Sequence, residues 1–179
     1  MKITYANKLL NEIEANLEIV LLKRSKYLKT NNMFLKEKKL YVKIPNYKFY
    51  TITEIITNVI KYINKINKYQ SIKIALYGIT NKKIQALIDG LLLGSYDFVR
   101  YKSKIKEIKL KEIFIANENY QELQISYEEI KLKINNHIII NKNINLTREI
   151  INSVADDTTP EKISNWIKEE LENTNIECL

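Results

Sequence analysis

Residues 51–95 read TITEIITNVIKYINKINKYQSIKIALYGITNKKIQALIDGLLLGS. In the first third, Ile52, Ile55, Ile56, Val59, Ile60 and Ile63 fall on one helical stripe, so a helix is expected over 51–66. Thr51 and Glu54 have the spacing of a capping box at its start. Ile72, Ile74 and Leu76 then alternate with polar or small residues, the period of a half-buried strand, which ends at Gly78. From about Asn81 the helical period returns, with Ile84, Leu87, Ile88, Leu91, Leu92 and Ser95 on one face. Helix, strand, helix in this order implies a layered α/β domain.

Working outward, Leu17–Leu22 is a short apolar run, and Leu40, Val42 and Ile44 alternate with Tyr41 and Lys43. Both read as strands. Asn31-Asn32 lies between them and is expected to turn a hairpin, and Pro45-Asn46 ends the second strand. A further strand is expected across Ile108–Ala116. After Asn117 glutamates become frequent. Ile130, Ile134, His137 and Ile138 keep helical spacing, giving one long helix over about 127–154. Asp156-Asp157-Thr158-Thr159-Pro160 reads as a loop. Thr159 with Pro160 at the first helical position starts a last helix carrying Ile163, Trp166, Ile167 and Leu171. Ile176-Glu177-Cys178-Leu179 looks like a strand just beginning, so a domain is expected to be cut there. The expected organisation is an α/β domain over 1–125, a linking helix and loop over 126–158, and the start of another domain over 159–179.

Composition excludes many active sites. The single histidine, His137, rules out a two-histidine metal site within these 179 residues. Three glycines (Gly78, Gly90, Gly94) cannot build a phosphate-cradling P-loop or a GxGxxG turn. No GxSxG elbow occurs. The single cysteine, Cys178, cannot form an internal disulfide, which fits a reducing compartment. No apolar run approaches the ~20 residues of a membrane span, and the start of the chain lacks a signal-type stretch. A soluble, cytoplasmic protein without a membrane partner is expected.

Charge is unevenly spread. Residues 1–110 hold 22 Lys/Arg against 8 Asp/Glu, whereas residues 111–179 hold 7 against 13. The plainer reading is a solvated charged surface, and such asymmetry can also mark a binder of nucleic acid or of an anionic surface. Against it, lysine outnumbers arginine 26 to 3, and arginine is the better phosphate and base reader. An AT-rich coding bias raises Lys, Ile and Asn together and explains the same balance. The two regions could also attract each other, within one chain or between subunits.

Two segments carry a resemblance. Gly90-Leu91-Leu92-Leu93-Gly94-Ser95-Tyr96-Asp97-Phe98-Val99-Arg100-Tyr101-Lys102-Ser103-Lys104 resembles the end of the N-terminal domain in cytosolic leucyl aminopeptidases, where Gly and Leu precede Tyr-x-Phe-x-x-Tyr-Lys. Asn145-Leu146-Thr147-Arg148-Glu149-Ile150-Ile151-Asn152-Ser153-Val154-Ala155-Asp156-Asp157-Thr158-Thr159-Pro160 is similar to that family's Asn-Thr-Pro stretch. Val154 stands where the family has proline and Asp156 where it often has asparagine. The resemblance implies a macro-domain-like α/β N-terminal domain, a linking helix, and the opening of a catalytic domain that removes N-terminal residues from peptides. It implies two zinc or manganese ions and a hexamer for the parent. The family's lysine, aspartate and glutamate metal motifs are absent from this sequence, so no catalytic, metal or cofactor-binding residue is carried over and no cofactor is assigned to this chain. The expected role is an accessory, oligomer-organising region whose partners are the catalytic domain and further copies. The alternative is a basic DNA-binding module, a second role of some family members. A third reading, nucleotide or ADP-ribose binding, rests on fold analogy alone, and the scarcity of glycine argues against it.

Several residues stand out. Tyr96, Phe98, Tyr101 and Lys102 are expected to pack a helix end onto the sheet, with a ligand surface as the alternative, and for Lys102 a solvent-facing or subunit contact as well. Arg148 suits a carboxylate across the domain junction or plain surface. Asp156 and Asp157 are expected as turn and helix-start residues. His137 is expected to be packed on an apolar helix face, and Cys178 to be exposed and oxidisable.

Overall fold

The structure is a computed structural model. It describes residues 1–22, 33–44, 49–75, 81–117, 126–172 and 174–176. Contacts divide the chain into two units: residues 1–96 with 106–141, and residues 97–105 with 142–179.

The first unit is built on six strands: β1 (Lys2–Leu9), β2 (Leu17–Leu22), β3 (Met33–Lys36), β4 (Lys39–Lys43), β5 (Ser71–Ala75) and β6 (Glu112–Asn117). Their order across the sheet is β1-β6-β5-β2-β4-β3. All pairs are parallel except β3–β4. Helices α1 (Phe49–Ile66) and α2 (Asn81–Ser95) belong to this unit, as does the first part of α3 (Tyr127–Asn152). Parallel strands need crossover connections, and α1 between β4 and β5 and α2 between β5 and β6 are such connections.

Strand periodicity sorts the side chains. Ile19, Leu40, Val42, Ile72, Ile74, Ile113 and Ile115 are buried in one cluster with the stripes of α1 and α2 and with Ile130 and Ile134 of α3. The opposite parity places Phe34, Lys36, Tyr41, Val20, Lys73 and Phe114 on the other face, where none is buried. A 3-10 turn at Leu10–Glu12 covers part of that face: Leu10 and Ile13 pack with Ala116, Ala75 and Phe114.

Glycine makes the α1–α2 contact possible. A Cβ added at Gly90 would lie 2.7 Å from Ile56 Cβ and 2.8 Å from the Thr53 carbonyl. One at Gly94 would lie 2.7 Å from both Ile60 Cβ and the Thr57 carbonyl. The backbones thus approach closely enough for Thr53 Oγ1 to donate to the Ala86 carbonyl (3.2 Å) and Thr57 Oγ1 to the Gly90 carbonyl (3.4 Å).

The structure corrects several sequence expectations. Leu17–Leu22 and Lys39–Lys43 pair in parallel, so no hairpin at Asn31-Asn32 joins them, although those two residues lie outside the described set. The hairpin is β3–β4 instead, and Glu37 adopts a positive φ of 54° in its turn. Helix α1 begins at Phe49, so Thr51 is inside the first turn and does not cap it. A capping box does open α3: Ser126 Oγ accepts from Glu129 N (3.2 Å) and Ser126 N donates to Glu129 Oε2 (3.1 Å). The strand expected over 108–116 covers only Glu112–Asn117, because Leu110 is buried but unpaired in the ladder and the Lys111 and Glu112 amides both turn to the Gln70 carbonyl. Strands β1 and β3 add to the strands expected from the sequence. Leu76, Gly78, Pro45-Asn46 and Cys178 lie outside the described residues.

The second unit contains the end of α3, a 3-10 turn at Ala155–Asp157 where a loop was expected, and α4 (Pro160–Leu171). Thr159 caps α4 through its hydroxyl and Pro160 takes the first helical position, as the sequence indicates. No described helix is long and apolar enough to cross a membrane.

Candidate functional site

The two motifs that carry the resemblance meet in the second unit. Tyr101, from the first motif, donates its hydroxyl to Asp157 Oδ2 (2.7 Å) and accepts from the Val154 backbone amide (3.0 Å). Its neighbour Arg100 donates to Ser153 Oγ (3.0 Å) and lies over the Trp166 ring at 4.6 Å. Lys162 completes the cluster by donating to the Asp156 carbonyl (2.6 Å) and approaching Asp157 Oδ1 (3.5 Å). Residues more than 50 positions apart are thereby tied around one 3-10 turn.

The electrostatics follow from those contacts. The Tyr101 hydroxyl holds the Asp157 carboxyl below its ordinary range, with Lys162 and Arg100 acting in the same direction. Desolvation opposes the shift and does not overcome it.

Beside the cluster lies an open cleft of about 360 Å³, lined by Arg100, Glu149, Trp166 and Glu170 among others. Glu170 of its lining pairs with Lys142 at 2.7 Å on the surface.

The expectation that Tyr101 packs a helix end onto the sheet is not met. Tyr101 is 46% exposed and bonds within the second unit; its ring meets Phe98 edge-on at 5.6 Å. Lys102 pairs with Asp97 at 2.6 Å on the surface. Asp156 and Asp157 form the turn, as expected, and precede α4. Arg148 is half-buried on α3 and Tyr96 is half-buried after α2.

His137 sits in the first unit in a polar cluster between α2 and α3. Its Nδ1 lies 2.6 Å from Asp89 Oδ1. Asn141 Nδ2 donates to the same carboxylate oxygen and to the His137 carbonyl, both at 3.0 Å. Asn141 is 1% exposed. Asp89 and Asn141 were not singled out in the sequence; the i, i+4 spacing of His137 and Asn141 was the available signal. His137 is thus partly buried among polar partners, not on the apolar helix face that the sequence suggests. Among the described residues, no three His, Cys, Asp or Glu side chains come together to hold a metal ion. They therefore do not fit the two-metal centre that the resemblance implies for the parent.

The comparisons with known proteins agree with this architecture. The parallel α/β sheet with its helices is the fold of the leucine aminopeptidase N-terminal domain. A mutant tomato leucine aminopeptidase superposes with a TM-score of 0.73 at 14% identity, over 96% of this chain and 42% of that one. The bottromycin maturation enzyme BotP gives 0.71 at 12% identity, over 93% of this chain and 39% of that one. In sequence, a probable cytosol aminopeptidase of Wolinella succinogenes is 30% identical over 121 residues, 66% of this chain and 25% of the relative. That of Helicobacter hepaticus is 34% identical over 112 residues, 62% of this chain and 22% of the relative. That of Campylobacter jejuni is 28% identical over 200 aligned positions, 99% of this chain and 41% of the relative. No protein-family profile matches the chain. The chain is thus similar in sequence to the cytosol aminopeptidases and shares its fold with the leucine aminopeptidase structure. It spans 22–41% of the length of these three curated relatives.

Proposed function

We propose that this chain is the non-catalytic N-terminal region of a cytoplasmic leucyl aminopeptidase and that it packs against the catalytic domain of that enzyme. One observation carries the reading. Helix α4 is amphipathic, with Ile163, Trp166, Ile167 and Leu171 at helical spacing, yet none of its residues is buried. No described residue of the second unit is buried at all. An amphipathic helix owes most of its stability to burying that stripe, so this unit is built to be completed by another surface. The parent enzyme removes N-terminal residues from peptides with two zinc or manganese ions held in its catalytic domain, and this chain helps organise a homo-oligomer, a hexamer in the parent. The manganese complex of BotP supports metal use in the parent.

The test mixes the purified chain with the separately produced catalytic region of a cytosol aminopeptidase. The expected result is no hydrolysis of a leucine anilide by the chain alone, and a stable complex that Ile167→Asp abolishes. Metal-dependent turnover by the chain alone sinks the reading.

The charge asymmetry favours a second reading, a basic nucleic-acid-binding module. It requires binding at low ionic strength that weakens steeply as salt is added. Binding that is absent, or that ignores salt, removes it.

A further inference from the structure

We propose that the face of the sheet at β3–β4 opposite the described helices is a binding platform for a single-stranded polynucleotide. This inference rests on the nucleic-acid reading and gives it a place and a ligand form.

Among the described residues, the helices cover one face of the sheet, and the 3-10 turn covers the other near β1, β5 and β6. Toward β3 that second face carries Phe34 and Tyr41. They are cross-strand partners in the β3–β4 ladder, with ring centroids 6.5 Å apart and ring planes tilted by 30°. Phe34 is 46% exposed and Tyr41 half-buried. Aromatic side chains presented on a sheet, one of them exposed and one half-buried, are the kind of group on which unpaired bases stack. A duplex keeps its base faces inside its own stack and does not offer them.

Lysines surround the pair. Lys36 and Lys39 are the next register pair along the same face, and Lys43 lies two residues beyond Tyr41. Glu18 accepts an ion pair from Lys39 (3.1 Å) and approaches Lys73 (3.6 Å), so it offsets one positive charge. Lys73 is occupied by the Leu10 and Ile13 carbonyls and serves the fold. The surface left over is aromatic in the middle and basic at its margins, complementary to stacked bases with phosphates on either side. The wider balance of 22 cationic against 8 acidic residues over 1–110 favours the same polyanion.

The experiment measures fluorescence anisotropy of labelled 15-nucleotide oligo-dT and oligo-U with the full chain. Binding in the micromolar range is expected at low salt. With about three phosphate contacts, affinity should fall roughly 20-fold between 50 and 200 mM salt. Phe34→Ala and Tyr41→Ala should each weaken binding by about tenfold, the scale of one lost base–aromatic stack. Phe34→Trp should restore or strengthen it, which separates stacking from a fold defect. Stronger binding of oligo-U than oligo-dT assigns the platform to RNA, and the reverse to DNA.

Wild-type binding that survives both alanine substitutions overturns the site but leaves the nucleic-acid reading standing. No binding by the wild type overturns both. A duplex that binds as well as either single strand, or loss only on charge reversal at Lys36 and Lys43, overturns stacking in favour of plain attraction to an anionic surface.

Discussion

Tyr101 shows how a single hydroxyl joins two distant segments. It donates to Asp157 and accepts from the Val154 amide, so Tyr101→Phe removes both bonds and leaves the ring in place. The Asp157 carboxyl is held below its ordinary value in the folded chain, first of all by this hydroxyl. A depressed folded value means that the contact stabilises fully above the unfolded value, near pH 4, and that the gain is lost as pH falls through the folded value. Trp166 is the only tryptophan and lies in the same unit, so its fluorescence reports this region selectively. Thermal melts followed through Trp166 should show Tyr101→Phe below wild type at pH 6, with the gap narrowing toward pH 2 to the part that the Val154 amide bond contributes. A gap that is constant across that range would mean that the carboxylate contributes nothing.

At the level of elements, the α1–α2 contact is set by backbone approach. Alanine is the better helix former by about 1 kcal/mol, yet Gly90→Ala and Gly94→Ala each drive a Cβ into backbone and a β-branched side chain at 2.7–2.8 Å. Overpacking of this kind costs about 1–3 kcal/mol, so each variant should have a lower urea midpoint than wild type. Unchanged or raised midpoints would show that the two helices can part without loss. Asp89→Ala tests the neighbouring tie between α2 and α3. It leaves His137 and Asn141 without their shared acceptor in a largely buried position and should destabilise by about 2 kcal/mol in the same assay. The legibility of these elements in the sequence follows from how local their causes are. Helix stripes on α1 and α2 and the Thr159-Pro160 start are written within a dozen residues and were readable. Strand β1 offers only Ile3 and Tyr5 in alternation, and its partner β6 is more than 100 residues away, so nothing local marks it. The parallel pairing of β2 with β4 is equally silent, because alternation fixes which side chains face the core but not the direction of a neighbour. The Thr-x-x-Glu pattern at Thr51 and the Ser-x-x-Glu pattern at Ser126 look alike; only the second coincides with a helix start.

On the scale of the whole molecule, the two units differ in what holds them. The first buries a continuous aliphatic cluster between sheet and helices, whereas the second has no buried residue among those described and is held by capping, ion pairs and the Tyr101 and Arg100 contacts. The candidate site was legible as two motifs but not as a cluster, because the pairing of Tyr101 with Asp157 depends on how chain segments 56 residues apart are brought together. This contrast predicts a graded opening of the structure. Amides of Ile72–Ile74 and Ile113–Ile115, at the centre of the sheet, should exchange with deuterium only when the first unit unfolds globally. Those of α4 should exchange orders of magnitude faster, since a helix without buried contacts opens at little free-energy cost. Adding the catalytic region of a cytosol aminopeptidase should slow exchange across 160–171 and leave β3–β4 unchanged. A short oligonucleotide should do the opposite, slowing exchange at β3–β4 and sparing α4. If α4 is already as protected as β5 in the isolated chain, the second unit is self-sufficient, and the proposal that its apolar stripe awaits a catalytic domain fails.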